Sequence, residues 1–205
     1  MPIGALALSE EIQTRLRDAV RSAYSAAAER PEAKHPFPVG RAFAATLGYP
    51  PELLASVPPS CVDTFAGVSN VAVFADIPQS ARVLDVGCGA GLDSLIAARR
   101  VGAHGRVIGL DFSGKMLVRA RQAAAKVGQQ NILFCRGDAE CVPVKDASID
   151  TALVNGLFNL NPARATIFRE LARVLRPGGR VFAAELVLRE PHPTTTQFSE
   201  ADWFA

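Results

Sequence analysis

Residues 83–91, with the sequence VLDVGCGAG, constrain the fold of this chain more than any other segment. The apolar residues and one acid, Asp85, predict a short buried strand, and the apolar run over 92–101 predicts a helix. The glycines between them would let backbone N–H groups at the helix N-terminus approach a ligand closely. The segment therefore predicts a strand, a ligand-binding turn and a helix.

The spacing of the glycines indicates what kind of ligand this turn binds. Dinucleotide-binding dehydrogenases use G-x-G-x-x-G, whose third glycine would fall here at Leu92. The glycines are instead Gly87, Gly89 and Gly91. The carboxylate of Asp85 would repel a pyrophosphate, and it suits a cationic ligand such as the amino group of S-adenosylmethionine (SAM). An NAD-type oxidoreductase is the alternative that Leu92 and Asp85 disfavour.

A second acid supports a nucleotide site. Residues 106–110 predict the next strand, with Asp111 following at its carboxyl end. Asp111 comes 20 positions after Gly91, the distance at which a nucleotide-binding βαβ unit places an acid on the ribose hydroxyls. The alternative is a glycine turn that only packs a helix against a strand.

Size and charge limit the classes of protein that this chain can belong to. Its 205 residues are enough for one domain with a sizeable core. The net charge is +2 and no basic stripe occurs, so we expect neither a nucleic-acid partner nor binding to a membrane surface. No membrane-spanning run or signal-peptide pattern is present, so we expect a cytoplasmic protein.

The four cysteines do not predict a metal site. No C-x-x-C occurs and the spacings do not suit zinc, so we expect four unpaired, reduced thiols and no metal. Cys135 is expected in the core, and Cys88 lies in the glycine turn, where a small residue is needed. Cys61 and Cys141 fall near loops, where they could be exposed.

The pattern of elements predicts a cap and a sheet. Residues 1–78 are interpreted as a helical N-terminal cap, with helices over 10–29 and 40–47 and an irregular stretch over 57–69. Residues 79–205 form the second unit, in which strands and helices alternate. The strands are predicted at 82–86, 106–110, 131–135, 149–154 and 179–188, and the helices at 91–101, 113–127 and 162–175. This alternation predicts an α/β fold with a doubly wound parallel sheet, whose ligand lies at the carboxyl ends of the strands.

Four segments in order resemble the class I SAM-dependent methyltransferases, which have a Rossmann-like fold. They are 84–91 (LDVGCGAG), 109–113 (GLDFS), 137–143 (GDAECVP) and 173–180 (RVLRPGGR). The resemblance covers residues 81–188. It implies that SAM is the cofactor and that a small-molecule acceptor receives its methyl group.

The resemblance also implies which residues bind SAM. The methionine part would lie against the loop that contains Asp85, Gly87, Cys88, Gly89 and Gly91. The ribose and adenine would lie against Asp111, Phe112, Ser113, Met116, Asp138 and Ala139. Asn155, at the end of the fourth strand, would face the methyl group and the acceptor as the catalytic candidate.

Structural alternatives apply to several of these residues. Phe112 and Met116 could be ordinary core residues, Asp138 could cap the following turn, and Asn155 could be structural.

A narrower resemblance is to the arsenite methyltransferases. Residues 154–162 (VNGLFNLNP) are similar to the fourth-strand segment of that family, and residues 67–70 (GVSN) match its upstream part. The family has an arsenic-binding cysteine after the strand-four asparagine, where this chain has Gly156. A second cysteine is expected before the glycine loop, and Cys61 is the nearest candidate. A soft metalloid needs two or three converging thiolates, so the resemblance implies a relative that kept the scaffold and changed its substrate.

The chain ends soon after the predicted fifth strand, so the last two strands of the family's seven-stranded sheet are missing. We expect residues 181–188 to form an exposed apolar edge that a homodimer or the C-terminal tail covers, unless the chain is truncated.

No general base is evident. His35 lies in the cap, whereas His104 and His192 look like loop residues. The acceptor is therefore expected to be nucleophilic already. The alternatives are a quinone-type carbon methyltransferase and a SAM-binding protein without catalysis.

Overall fold

The computed structural model describes residues 10–187, and the fold begins with five helices. They are α1 (Glu10–Glu29), α2 (Arg41–Thr46), α3 (Pro51–Ser56), α4 (Pro59–Val62) and α5 (Val71–Phe74). Strands and helices then alternate as β1 (Arg82–Val86), α6 (Leu92–Val101), β2 (Arg106–Asp111), α7 (Gly114–Lys126), β3 (Ile132–Arg136), β4 (Ile149–Asn155), α8 (Arg164–Val174) and β5 (Leu175–Ala184). A short 3₁₀ helix, Phe158–Leu160, follows β4.

The five strands form one parallel sheet in the order β3-β2-β1-β4-β5. The chain runs outward from β1 to β3 and then returns to the other side of β1. Strand order therefore reverses beside β1, and a crevice is expected at the carboxyl ends of β1 and β4. The predicted doubly wound fold is confirmed.

Successive side chains of β1 point to opposite faces of the sheet, and both faces are buried. Val83 packs in the same apolar cluster as Leu95 of α6, whereas Leu84 and Val86 pack with Ile167 of α8. This is why Val83, Leu84 and Val86 are all apolar, since a strand covered by helices on both faces has no solvent side.

The cap helices share the core of the sheet. Tyr49, Leu54 and Val62 belong to the same buried cluster as Val83 and Leu95. A hydrogen bond also joins the cap to the helices of the sheet. Arg100 Nη1 of α6 donates to the Ala72 carbonyl of α5 at 2.7 Å.

The sequence-based interpretation of the cap was wrong in two respects. The stretch 57–69 is not irregular throughout, because α4 lies within it, and α3 and α5 were not predicted. Pro51 and Pro59 each occupy the first turn of a helix, where the missing N–H costs nothing. Cys61 is buried rather than exposed, and Cys135 is only partly buried.

The bounds of β5 also differ from the prediction. The strand begins at Leu175, four residues earlier than expected, and its pairing with β4 contains an irregularity between Ile149 and Thr151. Val181 is exposed on this edge strand. Residues 188–205, including His192 and the predicted apolar tail, lie outside the described residues.

Residues 10–187 include neither a membrane-spanning helix nor a cluster of metal ligands. No helix among them is long and apolar enough to cross a membrane. No cluster of three or more histidine, cysteine, aspartate or glutamate side chains in that range could hold a metal ion.

Candidate active site

The glycine loop after β1 is fixed by hydrogen bonds to β2. The N–H groups of Gly87 and Cys88 both donate to the carbonyl of Leu110, at 2.8 and 3.0 Å. Gly89 has a φ of +52°, and a Cβ atom there would meet no other atom within 4 Å. Glycine at position 89 therefore gives the left-handed backbone and leaves open space over the loop, as a closely bound ligand requires.

Asp111 connects this loop to the start of α7. Its Oδ2 accepts from the N–H of Gly89 at 2.8 Å, and its Oδ1 accepts from the N–H of Ser113 at 2.7 Å. Burial raises the pKa of Asp111 to about 6, and the two N–H donors act in the opposite direction. One carboxylate thus holds the glycine loop and the start of α7 together.

A cleft enclosing about 690 Å³ opens above the carboxyl ends of β1, β2 and β4. Its sheet side is formed by the glycine loop with Asp85, Asp93, Asp111, Met116 and Asn155, and its cap side by Cys61, Thr64, Phe65, Ala66 and Gly67. No lysine, arginine or histidine is among the described residues that line it. We call this space the main cleft.

The carboxylates of the main cleft are buried without a cationic neighbour in it. Asp85 is 2% exposed and accepts a hydrogen bond from Ser94 Oγ at 2.5 Å. Burial, together with the nearby charge of Asp93, raises the pKa of Asp85. A cation that entered the cleft would favour the charged forms of these groups.

Asp93, which the sequence analysis missed, is the centre of a buried hydrogen-bond network. Its Oδ1 accepts from the hydroxyl of Tyr49 at 2.6 Å, and its Oδ2 accepts from Asn155 Nδ2 at 2.9 Å. The sequence shows only an acid in the first turn of a predicted helix. Acids are common there because they interact favourably with the helix N-terminus, so the position of Asp93 did not indicate a functional role. Burial raises the pKa of Asp93, and these donors act against that shift.

Asn155 lines the main cleft, but its amide is engaged with the cap. Nδ2 also donates to the Ser69 carbonyl at 2.7 Å, and Oδ1 accepts from the N–H of Val68 at 2.8 Å and of Ser69 at 3.1 Å. These bonds fasten the 68–69 segment to the end of β4. Asn155 therefore positions the cap, which is the structural alternative considered above.

A second cleft of about 600 Å³ continues from the first on the side of β3, and we call it the side cleft. Phe112, Asp138 and Ala139 line it together with Arg17 and Arg21 of α1. The guanidinium of Arg21 lies 5.8 Å from the ring centroid of Phe112, and its Nη2 is 3.9 Å from Asp138 Oδ1. Helix α1 thus forms one wall of this cleft.

Most of the predicted cofactor residues line one of these clefts. The main cleft takes Asp85, Cys88, Gly89, Met116 and Asn155, the side cleft takes Asp138 and Ala139, and both share Gly87, Asp111 and Phe112. Gly91 and Ser113 line neither. Gly91 precedes α6, and the Ser113 hydroxyl caps α7 by accepting from the N–H of Met116 at 3.4 Å.

The cysteines of the main cleft are protonated thiols at neutral pH. Burial raises the pKa of Cys61 to about 12, and its Sγ donates to the Pro58 carbonyl at 3.0 Å. Burial also raises the pKa of Cys88. Gly156 has a φ of +71°, and a Cβ atom there would lie 3.2 Å from Cγ1 of Val68, so a cysteine at this position would be strained.

Comparisons with known proteins agree with this geometry. Residues 77–203 match a protein family described as a methyltransferase domain. An arsenite methyltransferase of Halobacterium salinarum is 38% identical over 151 residues, 74% of this chain and 38% of that protein. A demethylmenaquinone methyltransferase of Lactococcus lactis is 35% identical over 119 residues, 58% of this chain and 46% of the relative.

A solved methyltransferase structure is also similar to this chain. The crystal structure of an arsenic(III) S-adenosylmethionine methyltransferase from Chlamydomonas reinhardtii superimposes with a TM-score of 0.61 at 32% identity. The match covers 67% of this chain and 50% of the algal one. The chain thus spans half or less of the length of these three relatives.

Proposed function

Because the chain belongs to the family of the methyltransferase domain, we propose that it transfers a methyl group from SAM to a small-molecule acceptor. The observation that most supports this proposal is a glycine loop that faces a cleft with three buried carboxylates. No cationic side chain is among the described residues that line this cleft. Such a cleft attracts a ligand with positive charge and repels a pyrophosphate.

The residues present suit SAM. The open space over Gly89 and the carboxylate of Asp85 would receive the methionine part with its ammonium group. Asp111 has lone pairs left for the ribose hydroxyls, and Phe112 and Ala139 would border the adenine in the side cleft. When bound, SAM would supply a methyl group on a sulfonium. The acceptor's lone pair would form the new bond to this methyl while the C–S bond breaks, and its electrons would stay on sulfur to give S-adenosylhomocysteine (SAH).

The protein would contribute positioning and exclusion of water. None of the described residues lining the main cleft is a histidine or lysine that could remove a proton. His35 donates within the cap, from its Nε2 to the Arg30 carbonyl at 2.9 Å, and it lines neither cleft. The acceptor would therefore arrive as a nucleophile, or would lose its proton to water or to one of the carboxylates that line the cleft.

The nature of the acceptor is a second part of the proposal. Similarity to the arsenite methyltransferase of Halobacterium salinarum favours arsenite, and similarity to the menaquinone enzyme favours a quinol carbon. Two protonated thiols and Gly156 offer arsenic fewer thiolates than it prefers. We therefore treat a quinol-type acceptor and arsenite as equally supported candidates.

The test is turnover by the purified protein. It is incubated with SAM and either arsenite plus a thiol or 1,4-naphthalenediol under nitrogen, and SAH and methylated product are measured by mass spectrometry. Equal amounts of SAH and one methylated product are expected. Binding of SAM without SAH formation on either acceptor would favour a SAM-binding protein without catalysis, and lack of SAM binding would contradict the proposal.

A further inference from the structure

The cap side of the main cleft contains one polar group that no part of the fold uses. Thr64 is 3% exposed and lines the cleft, and its Oγ1 is buried without a hydrogen-bond partner among the described residues. A buried hydroxyl that lacks a partner is unfavourable, so such groups in a cleft are commonly satisfied by a ligand.

The segment that carries Thr64 is held firmly in place. The Phe65 carbonyl accepts from the N–H of Gly40 at 2.9 Å, and its N–H donates to the Val62 carbonyl at 3.0 Å. The Phe65 ring packs edge-on against Tyr49, with centroids 5.1 Å apart. Three residues after Phe65, the N–H of Val68 donates to Asn155 Oδ1. The hydroxyl is thus presented at a fixed position before any ligand arrives.

The surroundings of Thr64 limit the charge of what can bind there. Phe65, Leu157 and Leu160 give the cleft apolar walls. All of its charged lining residues are carboxylates, and none of the described lining residues could pair with an anion. An acceptor that carried a carboxylate or phosphate of its own into this space would lose the hydration of that charge without a cationic side chain to compensate.

We propose that the methyl acceptor is an uncharged, largely apolar molecule that hydrogen-bonds to the hydroxyl of Thr64. This proposal rests on the proposed function and narrows its substrate class. Thr64 is then an acceptor-binding residue that selects and orients the acceptor, while SAM binding depends on the opposite side of the cleft.

Two probes that differ by one carboxylate test the charge of the acceptor. 1,4-Naphthalenediol is neutral, and 1,4-dihydroxy-2-naphthoate is its anionic analogue. Calorimetry under nitrogen, with the protein saturated with SAH, should show the neutral probe binding at least about tenfold more tightly. Equal or tighter binding of the naphthoate, or no binding of the diol to SAH-loaded protein, would overturn the proposal.

Two variants test the hydroxyl. Thr64→Val keeps the shape and removes the hydroxyl, and it should weaken binding of the diol about fivefold, whereas Thr64→Ser should stay close to wild type. The SAH affinity should be unchanged in both. The melting temperature of free Thr64→Val should equal or exceed that of wild type, because the lost hydroxyl had no partner.

The outcomes separate this inference from the proposed function. Unchanged diol binding in Thr64→Val, or a Thr64→Val protein that melts lower than wild type, would overturn the role of Thr64 alone. Failure of wild-type protein to bind SAH would overturn both the inference and the function on which it rests.

Discussion

At the scale of single residues, Asp111 is the carboxylate that lines both clefts. It binds the N–H groups of Gly89 and Ser113. The sequence predicted its place, because an acid at a strand end 20 residues after a glycine turn is a recognised pattern. It did not predict the contact with Gly89, since that depends on how the loop folds back onto β2.

Asp111→Ala should therefore weaken SAM binding at least about tenfold, through loss of the ribose acceptor and of the loop contact. Asp76→Ala is the matched control, because the Asp76 side chain is 70% exposed and lines neither cleft. Calorimetry with SAM measures both. Equal losses in the two variants would contradict the role assigned to Asp111.

Tyr49 is a second residue whose importance the sequence concealed. Its hydroxyl donates to the buried Asp93 at 2.6 Å, and burial beside this carboxylate raises its pKa. A tyrosine after a glycine looks like an ordinary core aromatic, and its partner is 44 residues away. Only the folded chain brings the two together.

We expect Tyr49→Phe to lower the free energy of unfolding by about 1–3 kcal/mol, because a buried carboxyl loses a donor. Tyr24→Phe removes the same atom from a ring that stacks on Phe37 and donates to no carboxylate within residues 10–187, and it should cost less. Urea denaturation compares the two. A smaller effect at position 49 than at position 24 would contradict the network.

At the scale of elements, periodicity predicted the sheet well and the cap poorly. Strand β1 and helix α1 have the predicted bounds, because an apolar run and a 3.6-residue repeat each leave a clear pattern. Helices α3, α4 and α5 are only four to six residues long, too short for a repeat. Pairing of the exposed β5 edge in a homodimer stays a prediction.

Helix α1 is the element that encloses the side cleft. Arg21 contacts both Phe112 and Asp138 from this helix. Arg21→Ala should raise the dissociation constant of SAM by up to about fivefold, since an exposed ion pair contributes less than about 1 kcal/mol. Arg15→Ala, a change on the same helix at a residue that lines neither cleft, is the control. An equal effect of both changes would contradict the assignment.

At the scale of the whole molecule, the buried carboxylates make stability depend on pH. The pKa of Asp111 is raised from 3.8 to about 6, and that of Asp85 is raised further. The folded state therefore holds more protons than the unfolded state. The contribution of these groups to the free energy of unfolding is present at low pH and is lost as the pH rises. The opposite contribution of Glu170, whose pKa is lowered to about 2, is complete above about pH 5.

The melting temperature of the ligand-free protein should consequently fall as the pH rises from about 5 to about 7. Asp111→Asn, which cannot lose a proton, should show a shallower decline. Scanning calorimetry across this range measures both. A melting temperature that rises over the same interval would show that the carboxylates are paired with cations in solution.

The central claim is that the main cleft binds SAM as a cation, and titration calorimetry of SAM in buffers of different ionisation enthalpy tests it most directly. We predict one SAM per chain and net release of protons near neutral pH, because the incoming positive charge lowers the raised pKa of Asp85. No heat of binding at about 1 mM SAM, or tighter binding of NAD than of SAM, would contradict it.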